Sequence, residues 1–326
     1  MMRKPARRQS YFLLFVLSGL LACSAAENVE KLITSAEAAK NEGQLHLAAD
    51  LYHRAAGLRP HDFQIQYGTG LLYLQVNNLN EAEEHLGKAL ALKPDSAPAH
   101  LNLGVVFLQR GRTEEGRKAF SEALRLDPRF TRAYYNLGVV HLDEGRLDEA
   151  EELLKKALAL DPSHQASYVR LGNLYVKERR YAAALDVLNQ AVALNVEDPT
   201  VFFNLGLTYE GLGKPEYAMA AFKRAIALNP SYARAYYNLG TLFLQQKDYQ
   251  AALEPLQEAL RLNPQSSDAS YNLAAAYTHL GERANALAWL QKAVELDPVL
   301  AAEARKDEDF QSLRSDPAFQ ALTQPR

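Results

Sequence analysis

A single cysteine, Cys23, is all the thiol chemistry available to this chain of 326 residues. One cysteine excludes an intrachain disulfide and any multi-cysteine metal site. An excess of one charge is also missing: 36 Lys and Arg face 39 Asp and Glu, for a net charge of −3. Arg3, Lys4, Arg7 and Arg8 fall within the first 22 residues, which hold no acid. The remainder is therefore net −7, the chain's −3 less those four charges. A body of that sign is a poor match for nucleic acid or for an anionic membrane surface, and no nucleic-acid partner is expected. Motifs for chemistry are lacking as well. There is no phosphate-cradling glycine loop, no Gly-x-Ser-x-Gly elbow and no His-Glu-x-x-His. The eight histidines include no i, i+4 pair, the spacing that sets two imidazoles on one helix face. No catalytic residue, metal or cofactor is expected. Acidic clusters such as Glu81, Glu83, Glu84 and Asp148, Glu149, Glu151, Glu152 read as solvated helix surface; the sharper alternative is a buried pair with split pKa values.

What is present begins with an address. After the basic residues, Tyr11 to Leu21 makes a mostly apolar stretch of eleven residues, where spanning a bilayer takes about 20. Basic region, short apolar region and the following Leu20-Leu21-Ala22-Cys23 read as a secretory signal over residues 1–22. The tetrapeptide resembles the lipobox of bacterial lipoproteins, which implies acylation of Cys23 as the new N-terminus. Acyl chains contribute about 0.8 kcal/mol per buried methylene, enough in combination for firm anchoring. Ser24, in place of Asp, resembles the outer-membrane default of Gram-negative lipoproteins. The expected location is the bacterial envelope, at the periplasmic face of the outer membrane. Residues 23–28 then form a short linker.

The body is one unit repeated. Ala133-Tyr134-Tyr135-Asn136-Leu137-Gly138 recurs as Ala235-Tyr236-Tyr237-Asn238-Leu239-Gly240, 102 residues later, or three times 34. The period runs without insertion through 29–62, 63–96, 97–130, 131–164, 165–198, 199–232, 233–266 and 267–300. Within each unit, apolar residues follow helical spacing, interrupted by Gly111, Gly145, Gly213 or Gly281 midway and closed by Asp-Pro or Asn-Pro pairs such as Asp161-Pro162 and Asn229-Pro230. That predicts two helices per unit. The repeat at 131–164 supplies Tyr134, Leu137, Gly138, Ala150, Leu154, Ala157 and Pro162; the repeat at 199–232 supplies Phe202, Leu205, Gly206, Tyr209, Ala218, Phe222, Ala225 and Pro230. This pattern resembles the tetratricopeptide repeat family. The resemblance implies an all-α solenoid, a superhelix of eight helix-turn-helix repeats. Val196 stands where the fifth repeat should carry Pro, which marks an altered joint to the sixth. Residues 301–326 fall outside the period, and Phe310, Leu313, Phe319 and Leu322 are expected to cap the last repeat.

In this family the first helices line a concave face, and positions 2, 5, 6, 9, 12 and 13 of each repeat point into it. Position 6 is asparagine at Asn102, Asn136, Asn204, Asn238 and Asn272, and Arg170 in the fifth repeat. Position 5 is aromatic at Tyr67, Tyr135, Phe203, Tyr237 and Tyr271, and position 2 gives Arg132 and Arg234. A carboxamide both donates and accepts, so it can bracket a peptide bond. With first helices about 10 Å apart, one such group meets every third residue of an extended peptide at roughly 3.3 Å per residue. The row resembles the asparagine ladder in the repeat domain of O-GlcNAc transferase. The plainer reading, that Tyr-Asn here is a habit of the repeat family, stands beside it. Asn173, Asn204 and Arg234 also match part of a chaperone-tail clamp, but Val169 and Asn238 depart from it. The implied role is a scaffold that binds a protein or an extended peptide and is held to the membrane by its N-terminal lipid. Self-association of a structural lipoprotein and an enzyme with a hidden site are the alternatives.

Overall fold

The computed structural model describes residues 28–324. The signal segment and Cys23 lie outside the described residues. The chain divides into two compact units, 1–162 and 163–326. All regular structure among the described residues is helical, and in each unit the helices come as consecutive antiparallel pairs, a solenoid of repeats. The first unit holds α1 (28–41), α2 (Leu45–Leu58), α3 (Phe63–Gln75), α4 (Leu79–Leu92), α5 (Ala97–Gln109), α6 (Thr113–Leu126), α7 (Thr131–Asp143) and α8 (Leu147–Leu160). The second holds α9 (Gln165–Lys177), α10 (Tyr181–Ala193), α11 (Pro199–Gly211), α12 (Pro215–Leu228), α13 (Ala233–Gln245), α14 (Tyr249–Leu262), α15 (Ser267–His279) and α16 (Arg283–Leu296), then a short tail.

Each pair is drawn together at one crossing. In the second to seventh repeats position 8 is glycine and position 24 is a fully buried Leu or Phe; the first and eighth carry Ala36 and Ala274 at position 8. A Cβ placed on Gly104 would come 2.6 Å from Phe120, and one on Gly70 would come 2.7 Å from Leu86. The missing side chain is thus the space into which the large one packs. Ala150 and Ala157, or Ala218 and Ala225, are 0% exposed on the same second helices, so the backbones stay close along two turns.

The turn between the paired helices needs a left-handed residue at position 15 of every repeat. Gly43, Gly111, Gly145, Gly213 and Gly281 supply it, but so do Asn77, Arg179 and Lys247, the last at φ 61°. Left-handed backbone sets Cβ against the following carbonyl for any residue but glycine. Lys247→Gly is therefore expected to stabilise the second unit, by about 1 kcal/mol after glycine's greater unfolded-state entropy is set against the relieved strain. Chemical denaturation would measure it, and Gly281→Ala should move the opposite way.

Between repeats, the Asx-Pro pairs work as turns. Asp127, Asn229 and Asp297 each accept the N–H of the residue two ahead (2.9, 3.0 and 3.0 Å), while the intervening proline has no N–H to satisfy. The fifth repeat departs from this. With Val196 in place of proline, α10 ends early at Ala193, Asn195 turns left-handed at φ 56°, and Val196 N–H closes on Ala191 C=O at 3.2 Å. The joint between the fifth and sixth repeats is a helix-capping turn, unlike its neighbours.

The tail folds back on the last pair. α17 (Leu300–Ala304), a 3-10 turn (Glu308–Leu313) and α18 (Pro317–Thr323) place Phe310, Leu313 and Phe319 in one cluster with Leu273 and Leu290, with Leu322 packed against its edge. Asp316 caps α18 by accepting Ala318 N–H at 2.8 Å, and it pairs with Arg283 of α16.

Candidate binding face on the first helices

The asparagine row is built by a rule that links neighbouring repeats. Asn102 Nδ2 donates to the Tyr67 hydroxyl at 2.9 Å and to the Pro98 carbonyl at 2.8 Å. Asn272 Nδ2 donates to the Tyr237 hydroxyl at 3.4 Å and to Thr241 Oγ1 at 3.2 Å. In both cases the tyrosine is at position 5 of one repeat and the asparagine at position 6 of the next. Burial raises the pKa of both phenols, and the asparagine bond opposes that rise.

Where the preceding repeat has no hydroxyl at position 5, the link is lost. Leu101 precedes Asn136 in this pattern, and Asn136 has no side-chain hydrogen bond among the described residues. Phe203 precedes Asn238, whose Nδ2 turns back to the Arg234 carbonyl at 2.9 Å. Val169 precedes Asn204, which is bonded instead to Asn173 Oδ1. Asn102 and Asn204 are each only 7% exposed. Their amides are claimed by neighbouring repeats, whereas those of Asn136 and Asn238 are not.

The aromatic positions divide in the same way. Tyr67, Tyr135, Tyr237 and Tyr271 are half-buried, and the Tyr67 and Tyr237 hydroxyls reach the asparagine of the next repeat. Phe203 does not line an open face as its register suggests. It is 2% exposed, packed on Phe222 (5.7 Å between ring centres) and Tyr232 (5.0 Å), with the Arg234 guanidinium covering it at 4.8 Å. A ring with no hydroxyl has nothing to hold it at the rim and sinks into the core. The Tyr271 hydroxyl donates to Asp307 Oδ2 at 2.7 Å, so the tail takes the place of a ninth repeat in the same link. Burial first, then that bond, pushes the Tyr271 phenol far up. Arg170 and Arg234 are exposed. The second unit thus brings Arg234, Tyr237, Asn238 and Asn272 onto adjacent first helices, and the first unit does the same with Tyr67 and Asn102.

Such a face can hydrogen-bond and stack. Several carboxyls are held below their usual range by ion-pair partners: Glu84 by Lys88, Glu114 by Arg117, Glu115 by Arg112, Glu122 by Arg125 and Asp316 by Arg283. Groups so held stay ionised and are poorly placed as general acids. His100 Nε2 lies 2.9 Å from the Pro94 carbonyl. His141 is half-buried, its Nδ1 has no partner, and burial lowers its pKa. The sequence reading missed the Tyr–Asn link between repeats, although its mark is there: tyrosine at one position and asparagine 35 residues later.

Comparison with known proteins agrees with the repeat fold. Tetratricopeptide repeat models match residues 33–97, 70–129 and 243–316, and the model described as the C-terminal domain of cilia and flagella-associated protein 70 matches 128–272. No curated protein matches the chain. Among solved structures, YrrB, described as a tetratricopeptide repeat protein with an unusual peptide-binding site, is 28% identical; the match covers 59% of this chain and 100% of YrrB, with a TM-score of 0.52. A tetratricopeptide repeat protein from Parabacteroides merdae ATCC 43184 is 18% identical over 76% of this chain and 98% of its own, with a TM-score of 0.55. The Cut9–Hcn1 hetero-tetramer of the APC/C is 19% identical over 87% of this chain and 55% of its own, at 0.54. At that identity the last two speak to fold alone.

Proposed function

The chain belongs to the tetratricopeptide repeat family, and from that premise we propose that it is a membrane-tethered scaffold of the bacterial envelope that binds an extended segment of a partner protein along its first helices. The observation that carries the reading is the pair of asparagines left unclaimed where the tyrosine link is missing. Asn136 and Asn238 sit in the same register as Asn102 and Asn272, yet their carboxamides are not used between repeats. Each leaves an acceptor, and Asn136 a donor too, for a peptide backbone. The exposed Arg234 beside Asn238 favours an acidic or C-terminal segment. YrrB, a relative of the same build, has a peptide-binding site, which supports the same use here. The tether rests on the basic and apolar leader followed by Cys23, the single cysteine of the chain. Assistance in assembling an envelope machine is the role that suits such a tethered binder.

Two measurements test this. In Asn136→Ala and in Asn238→Ala, made separately, binding to the partner recovered by crosslinking in intact envelopes should fall about fivefold, as one bond of roughly 1 kcal/mol implies. The melting temperature should hold, since neither side chain bridges repeats. Unchanged binding would place the partner elsewhere. Separately, Cys23→Ser should move the chain out of the membrane fraction; a wild type without acyl mass would refute the tether.

A further inference from the structure

The second helices carry a cluster that the peptide-binding reading does not use. His53 on α2 and His85 on α4 approach with Nδ1 of the first 3.1 Å from Nε2 of the second. Glu81 lies one turn before His85 on the same helix face, and one ligand atom from each of the three falls within 4.8 Å of the others. We propose that His53, Glu81 and His85 bind one zinc-like divalent ion, which would join the second helices of the first and second repeats.

The chemistry of the donors fits. Two imidazole nitrogens and a carboxylate form a borderline set suited to zinc, with a fourth position left to water. Tetrahedral ligands about 2.0–2.1 Å from zinc stand about 3.3 Å apart, close to the separation of the two nitrogens. The orientation is built in. His85 Nδ1 donates to Gln66 Oε1 at 2.7 Å, and Gln66 Nε2 donates to the Pro60 carbonyl at 3.1 Å, which fixes the amide and hence the tautomer. The lone pair of His85 therefore lies on Nε2, aimed at His53. Gln66 is 1% exposed, a buried polar side chain used to aim a histidine, as outer partners of metal ligands are.

His53 is exposed, and the tautomer with its proton on Nε2 presents Nδ1 as the ligand atom. The Tyr73 ring stacks on His85 and stands edge-on to His53, which closes the inner side. Glu81, Asp50 and Glu84 bring negative charge near Tyr73, and Lys88, paired to Glu84, opposes it. Histidines 32 residues apart escape a search for helical i, i+4 pairs.

The test uses the untagged full chain, stripped with chelator and titrated with zinc chloride by calorimetry, and with cobalt chloride by visible absorption. One equivalent of zinc should bind, and cobalt should give the intense bands of a tetrahedral site. His53→Ala removes an exposed side chain, so the fold should persist by circular dichroism while zinc affinity drops at least tenfold. Glu81→Gln should also weaken it, and His61→Ala should leave it unchanged. The assignment is overturned by the absence of stoichiometric uptake, or by uptake that survives His53→Ala. Uptake unchanged by Glu81→Gln would overturn the three-ligand form.

Discussion

Gly206→Ala will destabilise the second unit by about 2–3 kcal/mol, the upper range for forcing a methyl into a packed core. The Cβ would overlap Cε1, Cδ1 and Cζ of Phe222, which is 0% exposed and has no room to retreat. The same substitution at Gly87 meets nothing within 4 Å on the exposed side of α4, and there it should stabilise by about 0.5–1 kcal/mol, the helix preference of alanine over glycine. Opposite signs for one chemical change separate close approach from helix propensity. Equal effects in equilibrium unfolding would contradict the packing account. In a chain of stacked repeats the damage should appear first in hydrogen exchange of α11 and α12.

Phe310→Ala will cost about 3–5 kcal/mol, the usual range for emptying a buried aromatic site. Its ring is 0% exposed, edge-on to Tyr271 at 5.1 Å and 6.1 Å from Phe319. The tail holds the last pair through this ring and through the Tyr271–Asp307 bond. Its loss should therefore free α15 and α16 in hydrogen exchange before earlier helices respond, and deletion of residues 301–326 should do the same more strongly. Uniform loosening of the second unit, or no change, would mean that the tail does not cap the stack.

The repeat was legible because its physics is local. Position 8 glycine, position 24 Leu or Phe and the Asx-Pro closure recur in one sequence window, and together they specify the pair and its length. The altered joint at Val196 was legible for the same reason, since a missing proline has one place to act. Position 15 was read through its glycines; Arg179 and Lys247 hold the same backbone without advertising it, because the demand comes from the turn and not from the side chain. The tail was marked by Phe310, Leu313 and Phe319 after the period stops. The state of each asparagine was not legible from its own register. Whether Asn102 or Asn136 is engaged depends on the residue 35 positions earlier, Tyr67 or Leu101. Phe203 shares a register with Tyr237 and lies deeper, since one atom decides whether the ring has a reason to stay at the rim. His53 and His85 were hidden because the fold, not the spacing, brings them together.

The tyrosine–asparagine links also set how each stack yields under load. In the first unit the joint between α3 and α5 is pinned by Tyr67 and Asn102, and the next, between Leu101 and Asn136, has no such link among the described residues. In the second, the joint spanning Tyr237 and Asn272 is pinned, and the one spanning Phe203 and Asn238 is not. Directional bonds resist twist and shear, whereas apolar surfaces slide at little cost. Each unit is therefore a spring with unequal coils. If a segment binds as proposed, bending the unit would open the compliant coil, the same one whose asparagine is left unclaimed.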